Sequence, residues 1–451
     1  MDRDLTKGPV MRTMLRFAVP MILGNLLQQC YNVADTMIVG KYLGKNALAA
    51  VGSAFTLMTF LTSILLGLCM GSGAVFSNRF GQRDEDGLKE SISASFVLIA
   101  GLTILLNIAA FICLDKIQFF LRVPEEVWGI MREYLSVIFC GIAATFLYNY
   151  FASLLRAIGN SVVPLIFLAV SAVLNIALDF WFVLGLKRGA AGAAEATVIS
   201  QYVSGIGIMI YTLARHPSVR MSLKRLRIRW LCIREIAGFS ILTCIQQSVM
   251  NLGILMVQGL VNSFGSVIMA AFAAAVKIDA FAYMPVQDFG NAFSTFIAQN
   301  YGAKKEERIR AGLKGAILTA IVFCVVISGA VWIFAERLMR LFVNMGNDEV
   351  NRIIDEGIQY LHIEGAFYCG IGCLFLLYGL YRALGKPGMS VVLTIISLGT
   401  RVVLAYTLSS VPFIGVVGIW WSVPIGWFLA DMTGLIYYLK KRNSSLVVKK
   451  E

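Results

Sequence analysis

Charge is scarce in this chain of 451 residues: Asp, Glu, Lys and Arg together make up 14% of it, against about 25% in soluble globular domains. Histidine occurs only twice, at His216 and His362, and none of the nine cysteines falls in a CxxC pair. An integral membrane enzyme built on a metal or an activated nucleophile would ordinarily draw on clusters of those residues. The cysteines, of which Cys369 and Cys373 are the closest pair, read as small apolar packing residues. Their scarcity points away from an enzyme and from any resident cofactor. Prolines are few as well, nine in all, whereas glycines number 41. In so apolar a chain those glycines are expected where transmembrane helices approach one another closely, rather than in loops.

What fills the chain is hydrophobic: 58% of residues are apolar and the mean hydropathy is +0.76. Stretches such as 91–114 and 315–335 lack any charge. Each is about twenty residues long, enough at 1.5 Å per helical residue to cross a hydrocarbon layer of about 30 Å. The first apolar segment follows basic residues but carries no small-residue cleavage site, so it is expected to remain as a helix. A net charge of +13 raises the question of nucleic acid, yet the basic residues lie in short loops between apolar runs rather than on one soluble face. The partners expected are a lipid bilayer and a small molecule, with no nucleic acid and the chain acting as a monomer.

Apolar runs fall near 13–40, 46–77, 91–114, 133–155, 162–186 and 192–214, then near 236–262, 267–299, 312–335, 357–383, 388–411 and 413–439. The expected fold is an all-α integral membrane protein with twelve transmembrane helices in two parallel six-helix repeats around a central cavity. Residues 1–214 form the first lobe, 215–235 a basic cytoplasmic linker and 236–451 the second lobe. Most Lys and Arg lie in loops on the side of the N-terminus, which places both termini in the cytoplasm and the protein in the cell membrane.

The repeat is visible in the residues. GKNALAAVG from Gly44 matches GSVIMAAFA from Gly265, and NRFGQRDED around Gly81 matches QNYGAKKEE around Gly302, both at a shift of 221. LLRAIGN around Arg156 matches LYRALGK around Arg382, and GAAGAAEAT from Gly189 matches GVVGIWWSV from Gly415, both at a shift of 226. Parallel repeats of this kind commonly enclose a substrate path and alternate its access by rocking.

Ionisable side chains at bilayer depth are expensive, so each is a functional candidate. The first half holds Asp35, Asp179 and Glu195. Asn175 lies one turn before Asp179 on the same helix face, and Thr197 on the next helix can add a hydroxyl. Asp35, Asn175, Asp179 and Thr197 therefore offer an all-oxygen cluster suited to a hard cation such as Na⁺ or to a shared proton; the alternative is a structural hydrogen-bonded network. At the repeat shifts these positions become Met256, Arg401, Ala405 and Val423. The polar set is not duplicated, which favours a specialised site in the first lobe.

The second lobe has polar residues of its own. Gln246 and Gln247 lie in span seven, and Lys277, Asp279, Tyr283, Met284 and Asp288 in span eight, where Pro285 should bend the helix. Gln246, Asp279, Tyr283, Met284 and Asp288 are candidates to line a substrate cavity; a structural ion pair is the other reading for the charges. Arg401 is expected to pair with Glu364 or Asp431.

Taken with the twelve spans, ADTMIVGKYLGKNALAAVG near Asp35, RAIGN near Arg156, NIALD at Asn175–Asp179 and GAAEATVIS around Thr197 give a chain that resembles the multidrug and toxic compound extrusion (MATE) family over nearly its whole length. The resemblance implies an antiporter that exports cationic or amphipathic drug-like molecules by alternating access while Na⁺ or H⁺ enters. It places the coupling site on Asp35, Asn175, Asp179 and Thr197, with Tyr31, Tyr134 and Asn149 as hydrogen-bonding neighbours and Pro20 as the bend of the first helix. Glu195 departs from the family pattern, where an apolar residue is common. Gln246 and Gln247 stand where some members carry an acidic residue. A lipid-linked-sugar flippase of the same wider superfamily is the alternative function.

Overall fold

The computed structural model describes residues 4–120, 125–219, 229–342 and 348–442. Among them the chain is helical, with no strand. The helices are α1 Val10–Gly44, α2 Asn46–Gln82, α3 Glu85–Ile112, the short α4 Leu114–Phe120, α5 Glu125–Cys140, α6 Ile142–Ala157, α7 Val162–Asp179 and α8 Gly189–Arg215. The second half runs α9 Trp230–Asn262, α10 Ser266–Gly302, α11 Glu306–Arg340, α12 Asp348–Ala366, α13 Tyr368–Ala383, α14 Pro387–Ser409 and α15 Val416–Arg442.

Ten of these are long and apolar enough to cross a membrane alone. Two more spans are made of broken pairs, α5 with α6 bent by 41° and α12 with α13 bent by 52°. That yields the twelve spans expected from hydropathy. Because six is even, each repeat returns the chain to the face it entered from. Large apolar side chains lie exposed along whole helix faces, as with Ile104, Leu105, Ile108 and Ile112 on α3 and Val325, Val326 and Ile333 on α11. Continuous exposed apolar surface of this kind fits a lipid environment.

The duplication read from sequence reappears in the backbone. Gly44 and Gly265 both take positive φ, 82° and 97°, each ahead of the second helix of its repeat, where a side chain would be strained. Arg83 and Lys304 (58° and 55°), Gly159 and Gly385 (89° and 78°) and Gly189 and Gly415 (63° and 53°) form further pairs at the same shifts of 221 and 226. The two breaks, after Cys140 and after Ala366, are also 226 residues apart.

The chain forms two compact units. One is built around Val19–Cys244, the other from Leu5–Ala18 together with residues from Ile245 onward. The lobes expected at 1–214 and 236–451 differ from these units at two places, the starts of α1 and of α9. Of the expected linker at 215–235, residues 220–228 lie outside the described residues, and α9 has begun by Trp230.

Both helix starts are pinned by named contacts. In the unit containing α10, the Leu5 N–H donates to Gln299 Oε1 at 3.1 Å and Asn300 Nδ2 donates to the Leu5 carbonyl at 3.2 Å. Lys305 Nζ donates to the Thr6 carbonyl at 2.7 Å, and the Arg308 guanidinium to the carbonyls of Leu5, Lys7 and Gly8 at 3.1, 3.1 and 2.7 Å. In the other unit Arg79 meets Glu235 at 2.8 Å, Arg229 meets Glu90 at 2.6 Å, and the hydroxyls of Ser72 and Ser240 lie 2.8 Å apart. There α2 approaches α9 so closely that a Cβ on Gly67 would stand 2.5 Å from Cys244 Cα.

Candidate functional site

Within the first unit, four elements bring the sequence-selected residues together: α1 carries Tyr31 and Asp35, α5 carries Tyr134, α7 carries Asn175 and Asp179, and α8 carries Thr197. The carboxyls of Asp35 and Asp179 lie within electrostatic reach of one another without a hydrogen bond between them. Asn175 Nδ2 donates to Thr197 Oγ1 at 3.2 Å. Tyr134 lies within electrostatic reach of both carboxyls and of Tyr31, and Tyr31 lies near the Gln28 side chain. Asp179 is fully buried and Asn175 is 2% exposed.

Four buried oxygens here have no hydrogen-bond donor: Asp35 Oδ1, Asn175 Oδ1 and both carboxyl oxygens of Asp179. A buried acceptor without a donor costs about 1–3 kcal/mol, and more when it bears charge. Oxygens of this kind can accept a proton or coordinate a small cation. The donor set is hard, carboxylate, amide and hydroxyl, and suits an alkali cation or H⁺ rather than a transition metal. Among the described residues no group of three or more His, Cys, Asp or Glu could hold a metal ion.

Local backbone sets the geometry. Asp179 ends the α-helical part of α7, and Phe180–Gly185 continue as a π-helix. Single π turns are uncommon and recur at functional positions. The corresponding stretch of the second repeat stays in the regular helix α14 through Ser409.

Two further polar residues have partners of their own. Asn149 donates its amide to the Thr145 carbonyl of its own helix at 2.8 Å, so it is held by α6. Glu195 forms an ion pair with Arg188 at 3.0 Å near the start of α8, which accounts for an acidic residue where the family commonly has an apolar one.

In the second unit, Asp279 belongs to a different cluster. Asp279 of α10 lies within electrostatic reach of Glu364 and Tyr360 of α12, Tyr368 of α13 and Arg401 of α14, and Asp279 Oδ1, Glu364 Oε1 and the Tyr368 hydroxyl have no hydrogen-bond partner. Tyr283 faces the same charges. Asp279 is 5% and Glu364 1% exposed. Arg401 stands near Asp279 and Glu364 without closing an ion pair, and its Nε has no partner. Asp431, the other expected partner of Arg401, faces Cys373 and Tyr378 instead. Of the remaining cavity candidates, Gln246 and Asp288 are buried and Tyr283 and Met284 half-buried. Tyr360 and Tyr368 were missed in the sequence; the signal was present in the i, i+4 spacing of Tyr360 and Glu364.

Comparison with known proteins gives the family. The MatE family model matches residues 20–181 and 240–407, and the chain belongs to that family. It is 30% identical over 437 residues to the probable multidrug resistance protein YpnP of Bacillus subtilis (strain 168), covering 96% of each chain. It is 24% identical to the multidrug export protein MepA of Staphylococcus aureus (strain NCTC 8325 / PS 47), covering 97% of this chain and 95% of that one. Among solved structures, a MATE protein in its bent conformation superposes with a TM-score of 0.91 at 23% identity, covering 98% and 97%. A MOP superfamily transporter from Pyrococcus furiosus superposes with a TM-score of 0.92 at 24% identity, covering 99% and 98%. These confirm the all-helical, twelve-span membrane fold.

Proposed function

We propose that this protein is an antiporter that exports cationic or amphipathic small molecules by alternating access, driven by Na⁺ or H⁺ entering at Asp35, Asn175, Asp179 and Thr197. The observation that supports the reading is the acid pair of half-buried Asp35 and fully buried Asp179, with buried acceptor oxygens that have no donor. Two such groups in a low-dielectric interior cannot both remain charged cheaply. A proton between them or a cation beside them neutralises the pair, and each state favours a different packing of α1, α7 and α8.

Ion binding drives transport only when it favours one conformation over another. Pro20 lies two residues beyond the point where α1 passes from one compact unit to the other, where the missing backbone donor makes a bend easiest. Gln246, Asp279, Tyr283, Met284 and Asp288 are the candidates for substrate contact. Export of drug-like compounds as the activity follows the names given to YpnP and MepA. The cell membrane with both termini cytoplasmic, and a monomeric unit, complete the reading.

Purified protein in liposomes, loaded with a cationic dye and given imposed Na⁺ or H⁺ gradients, tests it. Dye movement that follows one gradient and is lost in Asp179→Asn supports the assignment. Dye movement indifferent to both gradients removes it.

A further inference from the structure

The start of α1 packs beside the start of α11 within one compact unit. Met11 lies against Gly315, where a Cβ would collide with the Met11 thioether. Each residue turns an α-helix by about 100°. Spans one and nine run in the same direction, so turning one way from Met11 on α1 and the opposite way from Gly315 on α11 leads to the same side of the pair. On that side α1 exposes Arg12, Leu15 and Arg16, and α11 exposes Lys314 and Leu318. At about 1.5 Å of rise per residue, Arg12 and Lys314 stand within about 3 Å of the same height, with Arg16 one turn further in. The two helices thus flank a groove with three cations at its mouth and with Leu15 and Leu318 along its walls.

We propose that this groove binds an anionic phospholipid of the surrounding membrane, its headgroup phosphate held by Arg12, Arg16 and Lys314 and an acyl chain laid along Leu15 and Leu318.

The apolar runs of α1 and α11 begin near 13 and 312, so the cations lie at the level of the bilayer's phosphates. Basic pockets between membrane helices recognise anionic headgroups, and guanidinium and ammonium both bind phosphate. The long stem of Arg16 lies along apolar surface while its charged end reaches back toward the headgroups. Among the described residues no carboxylate pairs with Arg12, Arg16 or Lys314. Arg310, one turn before Lys314, already meets Glu306 at 3.5 Å, and Glu307, the acid on the face of Lys314, stands two turns before it. A phosphate relieves the mutual repulsion of the three cations.

The first repeat has the same frame without the cations. At the shift of 221, Met11 and Gly315 become Cys232 and Ala94, which belong to one buried cluster, so α9 meets α3 in the same register. Arg12, Arg16 and Lys314 become Ile233, Ala237 and Ser93. The basic residues near that junction are matched by acids, Arg79 by Glu235 and Arg229 by Glu90, whereas Glu235 and Glu90 lead back to Met14 and Ala311. One junction is closed by its own ion pairs and the other presents cations with no acid. A bias of charge toward one membrane face asks only for basic residues in the loops on that side, not for three around one groove. A lipid held there ties Leu5–Ala18 to α11, adding to the bonds from Gln299, Asn300, Lys305 and Arg308.

The test uses the full-length protein in detergent, with retained lipids counted by native mass spectrometry. Phosphatidylglycerol should be retained in preference to phosphatidylcholine. Arg12→Gln, Arg16→Gln and Lys314→Gln together should lower the affinity for the tightest phosphatidylglycerol by about a hundredfold, at about fivefold per cation. A charge-matched protein carrying Arg83→Gln, Arg215→Gln and Arg234→Gln loses three exposed cations of the other unit and should retain that lipid. Equal loss in both proteins, or no loss in the first, overturns the proposal. Glycerol 3-phosphate carries the phosphate without acyl chains and should not displace the lipid at equal concentration; displacement would make the groove a site for a soluble phosphate and overturn the assignment to lipid. A second measurement needs no variant. Adding phosphatidylglycerol to nanodiscs of phosphatidylcholine should slow hydrogen exchange over Leu5–Ala18 and leave the start of α9 unchanged. No slowing over Leu5–Ala18, or the same slowing at both places, overturns the proposal.

Discussion

The two repeats share a scaffold and differ in where they hold charge. Both turn at a left-handed glycine before their second helix and break their fourth span 226 residues apart. Inside that common frame the first unit brings Asp35 and Asp179 together beside an amide and a hydroxyl, while the second sets Asp279 and Glu364 beside a guanidinium. On the function proposed above, the first pair takes a cation or a proton from outside. The second has most of its neutralisation built in. Duplication thus supplied one helical frame twice, and a few side chains leave one copy with an acid pair beside an amide and a hydroxyl and the other with an acid pair beside a guanidinium.

The largest expected effect comes from removing the titratable charge of the first pair. Asp179→Asn should lower gradient-driven dye transport by about 5- to 150-fold, the loss expected when a coupling free energy of about 1–3 kcal/mol is abolished. Dye binding in detergent should be retained, because amide and acid have nearly the same size. Undiminished transport would make Asp179 structural and erase the contrast between the units.

Next in size is the counter-ion of the second pair. Arg401→Leu leaves two buried carboxyls without their cation and should destabilise the protein by about 1–3 kcal/mol, less than breaking a contacting buried pair because the guanidinium does not touch its acids. Glu364→Gln in the same protein should recover part of that loss in a thermal unfolding series. Equal destabilisation with and without Glu364 would mean that Arg401 acts through packing alone.

Much of this contrast was legible in the sequence, and the reason is the rarity of charge. In a chain with 14% charged residues, an acid inside an apolar run stands out, so Asp35 and Asp179 could be selected, and the repeat shift showed that they were unpaired across the halves. Hydropathy fixed the number of spans for the same reason. It could not show that the fourth and tenth spans are broken, because the apolar run continues through Gly141 and through Phe367. Nor could it show that Leu5–Ala18 belongs with the second unit: the clamp is made by backbone carbonyls of residues 5–8 and side chains at Gln299, Asn300, Lys305 and Arg308, about three hundred positions away. Asp279 was selected but its surroundings were not, since its partners come from three other helices.

The two helix-start clamps offer a finer comparison. Gly67→Leu forces a side chain into the Cys244 backbone in the first unit and should destabilise by about 1–3 kcal/mol through overpacking. Arg308→Ala in the second unit removes hydrogen bonds to backbone carbonyls at a partly exposed place, which should be worth about 1 kcal/mol locally. Hydrogen exchange should quicken over Leu5–Ala18 in Arg308→Ala while leaving the start of α9 unchanged. Equal quickening at both places would show that the two clamps act as one.

The smallest effect separates residues that sit in the first cluster from those that merely border it. Asn149 is held by the Thr145 carbonyl one turn back on α6, a bond that a helix side chain makes without reference to any neighbour. Asn149→Ala removes that bond and little else, so stability should change by about 0.5 kcal/mol or less and the dependence of transport on the driving ion should be unchanged. Asn175→Ala is the matched comparison, because it deletes both the donor to Thr197 and one of the oxygens without a partner beside Asp179. Dose curves of transport against Na⁺ and against pH, measured side by side, decide between the two. A shift with Asn175→Ala alone keeps the site confined to α1, α7 and α8, whereas an equal shift with Asn149→Ala extends it onto α6.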